Sequence, residues 1–239
     1  MTSKAKMNSD KKTARIVGVL FLTAMVASLL GGGLVEDVIS APDYLTAVSE
    51  NETQVIIGAL LELINGIAVV GIGVLMFSIL EKYSKRLALG YLALRIIESV
   101  FGCVVVLSPL SLVKLSREYL KAGASDASSF LTVGTLSIAE RAVVADLLIP
   151  VFLSLGALLL YYSLYQSRLL PRFISVWGLI ATTLILTLNL LLTFNLEVGI
   201  GLGLIFALPI ISNEIFLAIW LIVKGFNSSA IASPSAKTG

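Results

Sequence analysis

Residues 55–80 read VIIGALLELINGIAVVGIGVLMFSIL, an apolar run in which Glu62 is the only charged side chain. A helix needs about 20 mostly apolar residues to cross the roughly 30 Å hydrocarbon core of a bilayer. Lipid offers no partner to backbone polar groups, so a spanning run must be helical. Five further runs have the same character, at residues 16–35, 87–113, 142–164, 173–194 and 200–223. The sequence therefore predicts an all-α polytopic transmembrane bundle of six helices.

The composition agrees with a membrane protein. The chain is 57% hydrophobic and 13% charged, whereas soluble domains are about 25% charged. The net charge of +2 is small, and no basic segment with interleaved aromatic residues follows residue 15, so we expect no nucleic-acid partner. Cys103 is the only cysteine, which excludes an intramolecular disulfide.

The connecting segments predict the orientation. Twelve Lys and Arg residues lie before the first run, in the second and fourth connections, and after the sixth run, whereas the first and fifth connections carry none. Basic residues collect on the cytoplasmic side, so we expect both termini there, although the third connection also carries basic residues, among them Lys114, Arg117 and Lys121. The first run is longer than the 7–15 residues or so of a signal-peptide core, which favours an uncleaved helix.

The sequence predicts three regions. Residues 1–14 form a basic cytoplasmic tail, residues 15–226 the six-helix domain, and residues 227–239, rich in Ser and Ala, a disordered cytoplasmic tail. Residues 130–138 are apolar and follow a polar stretch. They either lie along the membrane interface or extend the fourth helix, and the sequence leaves both alternatives open.

Charged residues inside the runs are the main functional signal. A charge at mid-helix costs about 2.5–3.5 kcal/mol on insertion scales, so such residues usually face the bundle interior and have partners. In the second run Gly58, Glu62 and Gly66 share one helical face, which we expect to pack inward. In the third run Arg95 and Glu98 are three residues apart and can pair.

We predict one intramembrane polar cluster from these and similar positions. Arg95 is the only arginine inside the six runs, so we expect it to be the counter-ion of Glu62, Glu98 and Glu214. The predicted cluster comprises Glu62, Asn65, Arg95, Glu98, Asp146, Asn189, Asn213 and Glu214.

Several classes of activity lack their required residues. The chain has no histidine and one cysteine, which excludes haem or zinc ligation by histidine and Ser-His catalysis. No glycine-rich loop with a following lysine is present. We therefore predict no catalytic residues, no cofactor and no metal. The favoured function is binding or transport of a small solute, with or without protons. The alternative is a structural or accessory membrane protein whose buried charges only hold the bundle together.

Three segments resemble a known family. They read ALGYLALRIIE at residues 88–98, LYQSRLLPRFISVWG at residues 164–178, and NEIFLAIWLIVKGF at residues 213–226. The chain resembles, from about Arg15 to Phe226, the bacterial and archaeal membrane proteins grouped as domain of unknown function 4386. The resemblance implies a six-helix protein of the prokaryotic plasma membrane. It implies no activity, because the family is defined without one.

The second of these segments also predicts a turn at the membrane surface. Pro171 suits the first turn of the fifth helix, and the charges of Arg168 and Arg172 can meet anionic lipid headgroups. Trp220 and Lys224 are expected at the same level at the end of the sixth helix. We interpret these residues as anchors that fix the orientation of the helices in the membrane.

Overall fold

The structure is a computed structural model that describes residues 3–122, 127–194, 196 and 198–227, with only the backbone described for residues 3–8 and 200. These ranges contain helices and turns but no strand. One π-helical turn, Val144–Leu148, joins the sixth helix to the seventh. The helices are α1 (Ser3–Ile39), α2 (Tyr44–Glu50), α3 (Glu52–Leu80), α4 (Lys85–Val105), α5 (Leu107–Ala122), α6 (Ala127–Val143), α7 (Ile149–Ser167), α8 (Arg172–Thr193) and α9 (Ile200–Val223).

Six helical stretches among the described residues are long and apolar enough to cross a membrane. Each overlaps one of the six predicted runs, which confirms the predicted all-α multi-pass class; the cytoplasmic position of the termini stays a prediction. The stretches are Ser9–Ile39, Glu52–Leu80, Lys85–Ala122, Ala127–Ser167, Arg172–Thr193 and Gly201–Val223.

The third and fourth stretches are much longer than predicted. They contain 38 and 41 residues, and a rise of about 1.5 Å per residue makes them roughly 57 and 60 Å long. Residues 130–138 lie within α6 and therefore extend the fourth helix. The predicted start of this helix at residue 142 is wrong, because α6 begins at Ala127, within the polar stretch at residues 121–129. Arg141 consequently lies inside a helix.

The structure describes most of the predicted N-terminal tail and only the first residue of the predicted C-terminal tail. Helix α1 begins at Ser3, so most of the basic segment at residues 1–14 continues the first helix. The predicted disorder of residues 227–239 falls, apart from Asn227, outside the described residues.

The helices group into two compact units. Unit 1 contains α1 up to Leu22, α3 from Ala68, α4 up to Glu98, and the chain from Pro150 through α7, α8 and α9. Unit 2 contains the remaining parts of α1, α3 and α4, together with α2, α5, α6 and the π-helical turn.

Glycines bring the helices of unit 2 into close contact. A Cβ atom on Gly31 of α1 would lie 2.8 Å from the Gly58 carbonyl oxygen and 2.9 Å from the Glu62 backbone nitrogen of α3. One α3 turn further on, the Ser99 hydroxyl of α4 donates to the Gly66 carbonyl over 2.9 Å. The face of α3 that carries Gly58, Glu62 and Gly66 therefore packs inward, as predicted.

The connection between α3 and α4 is fixed within unit 1. Lys82 Nζ donates to Asp10 Oδ1 over 3.1 Å, and the hydroxyl oxygen of Tyr83 is buried. Burial, with a smaller contribution from the Asp10 carboxylate, raises the pKa of Tyr83 to about 12.

Candidate functional site

A buried ion pair links two helices of unit 2. Arg141 Nη2 of α6 donates to Glu62 Oε1 of α3 over 2.6 Å, and Arg141 Nη1 donates to Glu62 Oε2 over 3.1 Å. The same Nη1 donates to the Val105 carbonyl oxygen, at the end of α4, over 3.0 Å. The side chains of Arg141 and Glu62 are only 5% and 11% exposed. This bidentate, charge-assisted arrangement fixes the relative positions of α3, α4 and α6.

This pair corrects the sequence-based prediction. Arg95 was expected to be the counter-ion of Glu62, and that pairing is wrong because the partner of Glu62 is Arg141. The sequence placed Arg141 in a connection, just before the fourth apolar run. The signal that identifies it is the apolar stretch at residues 130–138, which continues the helix through Arg141.

A pocket of about 490 Å³ lies against this ion pair. It brings together three predicted site residues, Glu62, Asn65 and Asp146, all of them in unit 2. Arg141 and Glu36 also line it, and neither was predicted as a site residue. Glu36 was interpreted as part of the first connection, but α1 continues to Ile39. The complete lining is Ser28, Gly32, Glu36, Ile39, Glu62, Asn65, Gly102, Val105, Ile138, Arg141, Ala142, Ala145, Asp146 and Ile149.

The ionisable groups of the pocket are mostly acidic. Three carboxyl groups, those of Glu36, Glu62 and Asp146, line it together with one guanidinium, that of Arg141. Arg141 is bonded to the buried Glu62, so the two exposed carboxyl groups give the pocket a net negative charge when they are ionised.

Within the described residues, three polar side chains of the pocket do not connect one helix to another through a hydrogen bond. The side chains of Glu36 and Asn65 form no hydrogen bond with another described residue, and Asp146 interacts with Arg141 through charge. Asp146 also lies in the π-helical turn Val144–Leu148, and such turns are frequent at functional sites. These groups are available to a solute.

Arg95 forms a second buried ion pair, in unit 1. Its Nη1 donates to both carboxylate oxygens of Glu98, over 2.8 and 3.2 Å, and the two side chains are 7% and 5% exposed. The Arg95 guanidinium carbon lies 6.0 Å from the ring centre of Phe21 and 5.9 Å from that of Tyr91, within the range of cation–π attraction. Glu214 is partly exposed and interacts with Arg95 and Glu98 through charge.

The two remaining predicted residues belong to helix structure rather than to either charged group. Asn189 Nδ2 donates to the Ile185 carbonyl of its own helix over 2.8 Å. Asn213 is fully buried, and its Nδ2 donates to the Ile174 carbonyl over 3.1 Å, which links α9 to α8. Of the residues predicted to form one polar cluster, the structure thus brings together Glu62, Asn65 and Asp146 within unit 2. It brings together Arg95, Glu98 and Glu214 within unit 1, while these two amides bond to helix carbonyls.

Within the residues that the structure describes, no group of three or more cysteine, aspartate or glutamate side chains is placed to hold a metal ion.

Comparison with known proteins places the chain in a family. The family model described as a domain of unknown function (DUF4386) matches residues 16–225. The chain belongs to this family. No curated protein and no solved structure matches it. The DUF4386 match includes both buried ion pairs and the pocket, so all of these features lie within the family domain.

Proposed function

We propose that this DUF4386 protein is a non-enzymatic protein of the prokaryotic cell membrane that binds a small, positively charged solute in the unit 2 pocket. The observation that carries the proposal is a pocket of about 490 Å³ in which the carboxyl groups of Glu36 and Asp146 lie next to the buried Glu62–Arg141 pair. Pockets of about 300–1,000 Å³ are typical of small-molecule sites.

The charge of the pocket favours a cationic solute. Glu62 already neutralises Arg141, whereas among the described residues neither Glu36 nor Asp146 forms an ion pair. A solute with an amino or quaternary ammonium group can pair with these carboxylates. The amide of Asn65 can accept or donate a hydrogen bond to the rest of the solute.

Transport is the further part of the proposal. Ionisable residues within membrane helices commonly mark solute and proton pathways. Glu214, partly exposed beside the Arg95–Glu98 pair, is a carboxyl group that can take up and release a proton while Arg95 stays charged. The proposal therefore includes coupling of solute movement to protons through the charged group of unit 1.

A structural or accessory role is the second candidate. It is favoured by the bonds of Arg141, which connect α6 to both α3 and the end of α4. The two functions require different residues. A structural role, in which the ion pair only holds the helices together, needs Glu62 and Arg141 alone. A solute site also needs Asp146 and Asn65.

A ligand-stabilisation screen tests the proposal. The purified protein would be heated with a panel of small amines and quaternary ammonium compounds, and with neutral and anionic analogues of the same size. A bound ligand at 100 times its Kd stabilises the folded state by about 2.7 kcal/mol, so cationic probes should raise the Tm. Asp146→Asn should abolish this response.

The matched control is Asp43→Asn, the same chemical change in unit 2 at a residue outside the pocket, which should leave the response intact. Uptake of the stabilising compound into proteoliposomes, with and without a pH gradient, then tests transport and proton coupling. Absence of any stabilising probe, or an equal response of both Asn variants, would contradict the solute site and favour the structural role.

A further inference from the structure

A second pocket, of about 500 Å³, is present in unit 1 at the ends of three helices. It is formed by the turn between α7 and α8 together with the chain that leaves α9. Its lining residues are Arg168, Leu169, Leu170, Pro171, Arg172, Trp220, Lys224, Gly225, Phe226 and Asn227. We infer that this basic pocket is a binding site for a phosphate group.

The charge of the basic pocket is uniformly positive. Arg168, Arg172 and Lys224 line it, and none of its lining residues is acidic. All three basic side chains are exposed, and within the described residues none of them forms an ion pair with a carboxylate. The Arg172 guanidinium carbon is held 5.0 Å from the ring centre of Tyr165, which positions this charge beside the pocket.

The walls of the basic pocket are held together by hydrogen bonds. The Asn227 backbone N–H donates to the Leu169 carbonyl over 2.8 Å, and its Nδ2 donates to the Arg168 carbonyl over 3.4 Å. Leu169, Leu170 and Phe226 are buried beneath the turn. The two chain segments that carry the basic residues are thus fixed to each other before any ligand binds.

The backbone at Arg168 is unusual. Its φ is +55°, a left-handed conformation that glycine adopts at much lower cost than arginine. The turn therefore places a cation at a position where glycine would have less backbone strain. Strained backbone of this kind is often found at functional sites, and here the strained residue contributes one of the three charges.

The basic groups of this pocket suit phosphate. Arg168 and Arg172 carry planar guanidinium groups that suit bidentate bonds to phosphate oxygens. Helix α8 begins at Arg172, and helix N-termini favour phosphate binding. The basic pocket lies where three candidate membrane helices end, at Ser167, Arg172 and Val223. Lipid phosphates lie at this level, and soluble phosphate compounds also reach it. The two sources share the chemistry that the pocket recognises.

Trp220 provides a direct readout of this site. The chain has two tryptophans, so Trp177→Phe leaves the pocket residue Trp220 as the single fluorophore. This single-tryptophan protein would be reconstituted in phosphatidylcholine nanodiscs. In one arm inorganic phosphate is added at constant ionic strength, and in the other phosphatidylglycerol replaces part of the phosphatidylcholine. Binding should shift the Trp220 emission in a saturable manner.

Two variants separate the site from the fold. Arg168→Gly removes a charge and relieves the left-handed backbone, so the Tm should be unchanged or higher while phosphate binding weakens. Lys224→Gln removes a second charge. At about 1 kcal/mol for each basic residue near a membrane surface, each variant should weaken binding about fivefold and the double variant about 25-fold. Lys85→Gln, the same change at an exposed lysine of unit 1 outside the basic pocket, should have no effect.

The two arms identify the source of the phosphate group. A response to phosphatidylglycerol alone identifies a lipid headgroup, and a response to inorganic phosphate identifies a soluble phosphate compound. Either response supports the inference if Arg168→Gly and Lys224→Gln diminish it. The inference is overturned if Trp220 responds in neither arm, or if these variants bind as tightly as the Lys85→Gln control.

Discussion

Replacing Arg141 by methionine tests whether the Glu62–Arg141 pair holds unit 2 together. The substitution removes all three hydrogen bonds of the Arg141 guanidinium, two to Glu62 and one to the Val105 carbonyl. It leaves the Glu62 carboxylate, which is about nine-tenths buried, without a counter-ion. Removing one partner of a buried pair costs about 3–5 kcal/mol, and we expect a loss of folding free energy in that range.

The double variant shows how much of this loss comes from the unpaired charge. Glu62→Gln removes the charge that Arg141→Met leaves behind, so the double variant should be clearly more stable than the sum of the two single losses predicts. We expect the difference to be about 2–3 kcal/mol, at the upper end of measured pairwise couplings.

The Arg117–Glu52 pair is a matched control. It is also a bidentate arginine–glutamate contact from a neighbouring helix to α3, but its side chains are 56% and 28% exposed. Exposed pairs are worth about 0–1 kcal/mol, so Arg117→Met should cost no more than about 1 kcal/mol.

Unfolding of the four variants and the parent protein in mixed micelles of mild detergent and SDS, followed by far-UV circular dichroism, measures these free energies. The reasoning is refuted if Arg141→Met costs no more than Arg117→Met. It is also refuted if the Arg141→Met and Glu62→Gln losses are simply additive.

Three further outcomes follow from the sequence and the structure. Arg95→Leu should destabilise unit 1 by about 3–5 kcal/mol, and Glu98→Gln, which removes the bonded partner, should restore more of this loss than Glu214→Gln in the same unfolding assay. A topology reporter at Ala47, in α2, should be active only in its external form and one fused to the C-terminus only in its cytoplasmic form; the opposite pattern would invert the orientation. The pKa of Tyr83 is raised to about 12 by burial, while an unfolded tyrosine ionises near 10, so its contribution to stability should be lost as the pH rises from about 10 to 12. The Tyr83→Phe variant should lose less stability over this pH window, and equal losses would show that Tyr83 is not responsible.

The features predicted correctly are those that depend on neighbouring residues in the chain. An apolar run longer than about 20 residues has one stable form in lipid, the helix, whatever surrounds it. The Arg95–Glu98 pair could also be predicted from the sequence, because a spacing of three residues places both side chains on one helical face. The amide of Asn189 bonds to its own helix, an option that the sequence pattern does not distinguish from a polar site.

The partner of Glu62 could not be predicted in this way. Arg141 is 79 positions away in the chain, and the bond forms only because α6 begins at Ala127 and continues to Arg141. Both Arg95 and Arg141 have the right charge. The choice between them depends on the level at which each arginine meets α3, and Arg95 packs against Gly73, 11 residues after Glu62.

The sequence by itself determined the class of this protein, its six apolar helices and the local Arg95–Glu98 pair, since each of these follows from composition or from spacing along one helix. Only the tertiary structure decided that Glu62 bonds to Arg141, that Asn65 and Asp146 line the same pocket as Glu62, and that Arg168 and Lys224 line one pocket. The physical reason is that charge interactions depend on distance in space. Helix packing sets that distance, and an arginine offers the same bonds to any carboxylate that the packing brings within reach.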